Sequence, residues 1–172
     1  MTRAGGNWDL SGVHGINAYI WHLLQTELGW TATPYGGLVP ITNPQQAPEF
    51  NALAAPYIVY SYSKMTSGET FFFERETIAY SIFSSSESDV RKVVNMLSTI
   101  LNKFDDSAKE CNNYLSLNGT TNQKFFDYKV INVTSANGAQ PALQEGGRYD
   151  GLIVVKCTYT HSDPATGIAV RY

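Results

Sequence analysis

Charge is scarce in this 172-residue chain. Only 16% of its residues are Asp, Glu, Lys or Arg, against about 25% in ordinary globular domains. No Lys/Arg run occurs, and the longest basic cluster is the dipeptide Arg91-Lys92. With a net charge of −3, sequence-directed nucleic-acid recognition is not expected. Cysteine is almost absent: Cys111 and Cys157 lie far apart, which points to reduced thiols and a cytoplasmic setting. No apolar run approaches membrane length, and Met1–Gly6 leads into no signal-like apolar segment. Without secretion, the Asn118-Gly119-Thr120 and Asn132-Val133-Thr134 sequons are chance matches.

With charge scarce, the surface is expected to be largely uncharged polar and aromatic. Hydrophobic residues make up 43%, enough for one sizeable core, and there are 11 tyrosines. With so few charges, a tyrosine-rich surface suits the buried centre of a protein interface.

The clearest local pattern lies at residues 71–104. Ile78, Tyr80 and Ile82 alternate with Thr77, Ala79 and Ser81, the period of a strand. A serine run follows, with Ser86 and Asp89 spaced as in a capping box. The period then becomes helical: Val90, Val93, Val94, Leu97, Ile100, Leu101 and Phe104 share one face. Three of the seven are valines, so this helix depends on burial more than on propensity.

Elsewhere, Asp9–Leu28 reads as a first helix with the stripe Val13, Ile16, Ile20, Leu23, Leu24, a cap at Asp9 or Ser11, and Gly29 as its C-terminal glycine. Gly12 and Gly15 weaken its first turn. Residues 31–56 hold five of the seven prolines and read as a long loop, with Leu38, Val39, Ile41 and Phe50 anchoring an extended arm on another surface. Tyr57–Tyr62 reads as a strand pairing in a hairpin with the strand after Phe71. Residues 105–123 look polar and broken by Asn112-Asn113. Phe125–Thr134 and Arg148–Thr160 complete the strands, the latter turning Ile153, Val155, Cys157 and Tyr159 to one face, and 161–172 reads as a flexible C-terminal tail. The expectation is one α+β domain over residues 1–172: a mainly antiparallel sheet of about four strands packed against two helices, in the order α-β-β-α-β-β.

Catalytic signals are weak. His14 and His22, two turns apart on one helical face, lack metal-ligand spacing and a carboxylate partner. Cys157 fits a core position, and Cys111 has no evident base. Glu74-Arg75-Glu76 puts two acids on one strand face, which fits a catalytic pair less well than a solvated strand end or an intersubunit ion pair. Gly146-Gly147-Arg148 has no following helix to make a phosphate loop. No enzyme, cofactor or metal is expected.

Three segments together resemble the tail terminator or tail completion proteins of long-tailed bacteriophages. They are the proline-led strand Ala55–Tyr60, the strand Glu76–Phe83 running through serines into the helix Asp89–Phe104, and the late strand Gly147–Val155. The pattern spans about Val13 to Tyr159, while the 31–56 and 105–123 connections are longer than in simpler members. The resemblance implies a small non-catalytic α+β subunit of a six-membered ring. That ring sits in the virion neck, caps the tail tube, ends its polymerisation and joins it to the head connector, after assembly in the host cytoplasm. Its partners would be other copies of the chain, the tail tube protein, connector or neck proteins and, in a contractile tail, a sheath protein. The expected interface residues are Trp30, Tyr35, Phe50, Lys64, Met65, Glu69, Phe71, Glu74, Arg75 and Glu76, with Trp8, Trp21 and Tyr62 as further spare aromatics. A connector-side stopper, a sheath-associated cap and a ligand-binding α+β adaptor domain are the alternatives.

Overall fold

The structure is a computed structural model and describes residues 11–47, 50, 53, 55–65, 74–103, 105–118, 127–136, 142–143 and 147–160. The element order is α1 (Val13–Leu28), a 3-10 turn (Thr33–Tyr35), β1 (Ile41–Thr42), β2 (Tyr57–Met65), β3 (Glu74–Ser84), α2 (Glu87–Ile100), α3 (Asp105–Asn118), β4 (Asp127–Ala136), β5 (Ala142–Leu143) and β6 (Tyr149–Thr160). The class is α+β. Five strands lie side by side as β1-β2-β3-β6-β4, and the short β5 continues the β4 side of β6. The sheet is mixed, because β1 pairs parallel to β2 while every other pairing is antiparallel.

The β2–β3 hairpin and β6 form a regular centre. Tyr57 to Met65 pair without a break against Phe83 to Arg75, and Glu74 to Ser84 against Tyr159 to Tyr149. Period-two alternation turns Ile78, Tyr80 and Ile82 of β3, and Ile153, Val155, Cys157 and Tyr159 of β6, into one core face. The helices cover that face: α2 on β3 and β6, α3 on β4, and α1 against both helices.

Helix α2 forms as its sequence requires. Ser86 is the N-cap and its hydroxyl accepts from the Asp89 amide at 3.3 Å. The reciprocal half of the capping box is supplied from elsewhere, since the Ser86 amide donates to Ser84 Oγ at 3.1 Å. Val90, Val93, Val94 and Leu97 are buried on the sheet. Phe104 lies outside the described residues.

Residues 105–118 differ from the expected polar connection. They form α3, whose Ala108, Cys111 and Leu115 are buried at i, i+3 and i+7. Asn112 does not break it. Its side-chain amide accepts from Tyr128 N at 2.9 Å and donates to Tyr128 O at 2.9 Å and Asp127 Oδ1 at 2.8 Å. It therefore acts as a strand partner for one peptide of β4. Ser107 joins the two helices, accepting from Lys103 N at 2.9 Å and donating to Ile100 O at 2.7 Å.

Within the proline-rich segment, Ile41 and Phe50 anchor to the chain's own sheet, while Leu38 and Val39 are exposed. Ile41 is buried in β1 beside Ile58, and Tyr35 and Phe50 are buried with Tyr57 on the sheet face away from the helices. Phe50 stacks on Tyr57 at 6.1 Å, and Tyr57 on Phe83 at 5.2 Å. Arg148 closes this cluster, its guanidinium 5.4 Å from the Tyr57 ring centre and donating to Leu53 O.

Candidate functional site

The most polar part of the interior lies under the first turn of α1. Glu76 is 1% exposed, on the core-facing row of β3. Its Oε1 accepts from Tyr159 OH at 2.7 Å, Ser11 Oγ at 2.8 Å and Gly12 N at 3.2 Å. A carboxylate from the sheet thus caps a helix far away in sequence, where the orphan amides and the helix dipole favour negative charge. Tyr159 OH also lies 3.0 Å from Glu74 Oε2. Two more tyrosines hold the same helix: Tyr128 OH donates to Gly12 O, and Tyr80 OH to Asn17 Oδ1 at 2.7 Å.

Glycine makes this approach possible. A Cβ on Gly12 would sit 2.7 Å from the Tyr159 ring, and one on Gly15 would sit 2.3 Å from Tyr128 Oη. The glycines that weaken the first turn in isolation are what lets the tyrosines reach it. Burial raises the hydroxyl pKa of Tyr80, Tyr128 and Tyr159 well above 10, and the Glu76 carboxylate adds to the rise in all three. These phenols are donors at neutral pH.

The thiols lie in the same interior. Burial drives Cys111 and Cys157 far above the ordinary thiol range; Cys157 raises Cys111 further and Glu76 raises Cys157 further. Thiolate is the nucleophilic form, so the burial that shapes this centre disfavours nucleophilic chemistry at either cysteine. Among the described residues, no three His, Cys, Asp or Glu side chains cluster to hold a metal ion. His22 stacks on Tyr114 at 4.5 Å.

The ten expected interface residues separate. Glu76 is not at a solvated strand end, and Tyr35 and Phe50 are buried in their own subunit. Glu74 is half-buried against Tyr159, and Arg75 is exposed. Trp30 is half-buried beside Glu27, Leu28, Asp89 and Lys92, around a hollow of about 310 Å³. Lys64 and Met65 end β2, and Glu69 and Phe71 lie outside the described residues.

No protein-family model and no curated protein matches the chain. Two surface features stand out. One is a groove of about 300 Å³ lined by His14, Asn17, Ala18, Trp21, Val39, Ile41 and Tyr114. It adjoins Leu38 and Val39, which are 54% and 44% exposed. The other is the outer edge of β2. Ile58 N donates to Pro40 O at 2.8 Å, so the even-numbered residues of β2 turn their backbone groups outward. Strand β1 pairs with that edge at Ile58 and Val59. The opposite edge, β4, carries register shifts between Tyr128 and Val130 and between Val133 and Ser135, and the Asn112 amide covers one of its peptides. Bulges and such covering protect an edge from pairing. Lys64, expected at a hairpin tip, and Tyr62, a spare aromatic, both lie on β2, whereas the groove joins α1, β1 and α3, which no local pattern connects. Among the described residues no helix is long and apolar enough to cross a membrane.

Proposed function

We propose that this protein is a structural subunit that assembles into a ring, acting as a phage tail terminator: it caps the tail tube, stops its polymerisation and offers a surface to the head connector. The resemblance of Ala55–Tyr60, Glu76–Phe104 and Gly147–Val155 to that family motivates the reading. The observation that carries it is the contrast between the sheet edges. A closed ring is built from heterologous contacts, so each subunit needs two different adhesive surfaces. Here β2 is regular over nine residues and is joined in parallel by β1 at Ile58 and Val59, while β4 is twice bulged, so the two edges present different surfaces. Low charge limits repulsion between adjoining copies, and Tyr62, Leu38 and Val39 supply exposed apolar area.

The experiment is imaging of the particle that contains this chain. A single closed ring of this protein, six copies in the family's pattern, is expected between the last tube ring and the connector. Its absence from the neck would overturn the reading. The groove beside Trp21 and Tyr114 favours a second reading, a ligand-binding adaptor domain. A neck without this protein would move that reading to first place.

A further inference from the structure

We propose that neighbouring copies of this chain are joined by a charged contact, in which Arg75 and Lys156 of one copy meet the hollow beside Trp30 and Glu27 of the next. This rests on the ring reading and names one contact that closes the ring.

The first half of the contact lies on the sheet face away from the helices. Arg75 is on the outward row of β3, opposite Thr158, and Lys156 is on the outward row of β6, opposite Thr77. The two are diagonal neighbours, with Cβ atoms about 7–8 Å apart. Both are exposed, and among the described residues neither makes an ion pair or a side-chain hydrogen bond. Their described neighbours on that face, Ser63, Thr77, Thr158 and Asn132, are uncharged. Adjacent cations without a carboxylate repel each other in the isolated subunit, so the pair suits an anion from outside.

The second half has the opposite sign. Glu27 and Leu28 end α1, Asp89 and Lys92 lie near the start of α2, and Trp30 adjoins them around the hollow of about 310 Å³. Glu27 sits at the negative end of the α1 dipole, and the last turn of that helix has no basic residue. Cations, not acids, are favoured at that end. Lys92 pairs with Asp89 at 3.7 Å, while Glu27 is exposed and makes no ion pair among the described residues. The hollow thus sets two carboxylates against one ammonium, beside an indole. A guanidinium suits that combination, because it stacks on aromatic rings and binds carboxylates through paired donors.

Distance assigns the partner to another copy. Strand β3 runs about 30 Å from Arg75 to Ser84, and α2 starts just beyond, at Glu87. The hollow lies at that far end and on the helix side of the sheet, whereas Arg75 lies at the near end of the other face. No side chain spans that distance within one subunit. Two complementary patches at opposite ends make a heterologous contact, the kind from which closed rings are built.

The test is sedimentation of the full chain at high concentration, as wild type, Arg75→Glu, Glu27→Arg and the double variant carrying both changes. Both positions are exposed, and far-ultraviolet circular dichroism checks that the fold is kept. Each single reversal is expected to weaken self-association at least about tenfold, and the double variant to restore it to within about threefold of wild type. Added salt should weaken the wild-type contact. Single reversals without effect in a multimeric preparation would overturn the proposal, as would a double variant no stronger than the single ones, and either outcome leaves the ring itself standing. A wild-type chain that stays monomeric also overturns the contact, and the place of the protein in the particle is then decided by imaging. If Arg75→Glu leaves self-association unchanged but abolishes retention on double-stranded DNA, the basic pair serves phosphate and the contact is likewise overturned.

Discussion

Helix α2 lies on the sheet, while α1 packs on α2 and α3 and meets the sheet side chains at its first turn, and the two are held by opposite chemistry. Helix α2 presents Val90, Val93, Val94 and Leu97 to the strands and is capped by its own Ser86. Helix α1 buries an apolar stripe too, yet its first turn is fixed by Glu76, Tyr128 and Tyr159 from the sheet. Apolar contacts are non-directional and tolerate small shifts, whereas buried hydrogen bonds fail if one partner is lost. The first helix should therefore be more sensitive to single polar changes, and the second to loss of volume.

The largest effect is expected from Glu76→Ala. It strands the Gly12 amide at ~1–3 kcal/mol and removes one acceptor each from Ser11 and from Tyr159, which keeps Glu74 Oε2, at about 1 kcal/mol apiece, for a loss of about 4 kcal/mol in denaturant unfolding. Glu76→Gln keeps an acceptor oxygen and should cost less than half as much. Equal losses from the two variants would mean that the hydrogen bonds do not hold α1. Next is Leu97→Ala, a cavity under α2 worth about 3 kcal/mol. Gly15→Ala follows: overlap with Tyr128 Oη and Leu115 costs ~1–3 kcal/mol and gained helix propensity returns ~1, for a net loss of about 1.5. Net stabilisation there would show that Tyr128 need not approach the helix. Ser86→Ala should cost about 1 kcal/mol, the usual value of a cap.

The two docking modes also separate with pH. The phenols gripping α1 have raised pKa values, so the native state holds these protons more tightly than the unfolded state. Their contribution is complete below pH 10 and is lost as pH rises. Tyr35, on the other face of the sheet, is pushed up to about 12 by burial and then by the Asp89 carboxylate. Unfolding midpoints should stay flat from neutrality to pH 10 and fall steeply above it. Tyr128→Phe should flatten that fall, and Leu97→Ala should leave its slope unchanged.

This contrast also explains what was legible in the sequence. Periodicity found α2, the β2–β3 hairpin and the buried face of β6, because burial repeats along each element. Helix α3 was hidden by its asparagines, although Ala108, Cys111 and Leu115 carry the helical period; Asn112 serves β4, a partner distant in sequence. The role of Glu76 was hidden because its ligands come from residues 11, 12 and 159. Its place on the same strand face as Ile78 and Tyr80 was the available signal. The parallel β1 was masked by the prolines around it, and the groove depends on packing between elements that no local pattern links.

The central claim is that this chain acts by assembling at the end of a tail tube. The most direct measurement is the length and head attachment of tails made without it. The account predicts overlong tails or tails that fail to join heads, while heads still fill with DNA. Normal-length, head-joined tails in infectious particles would contradict it.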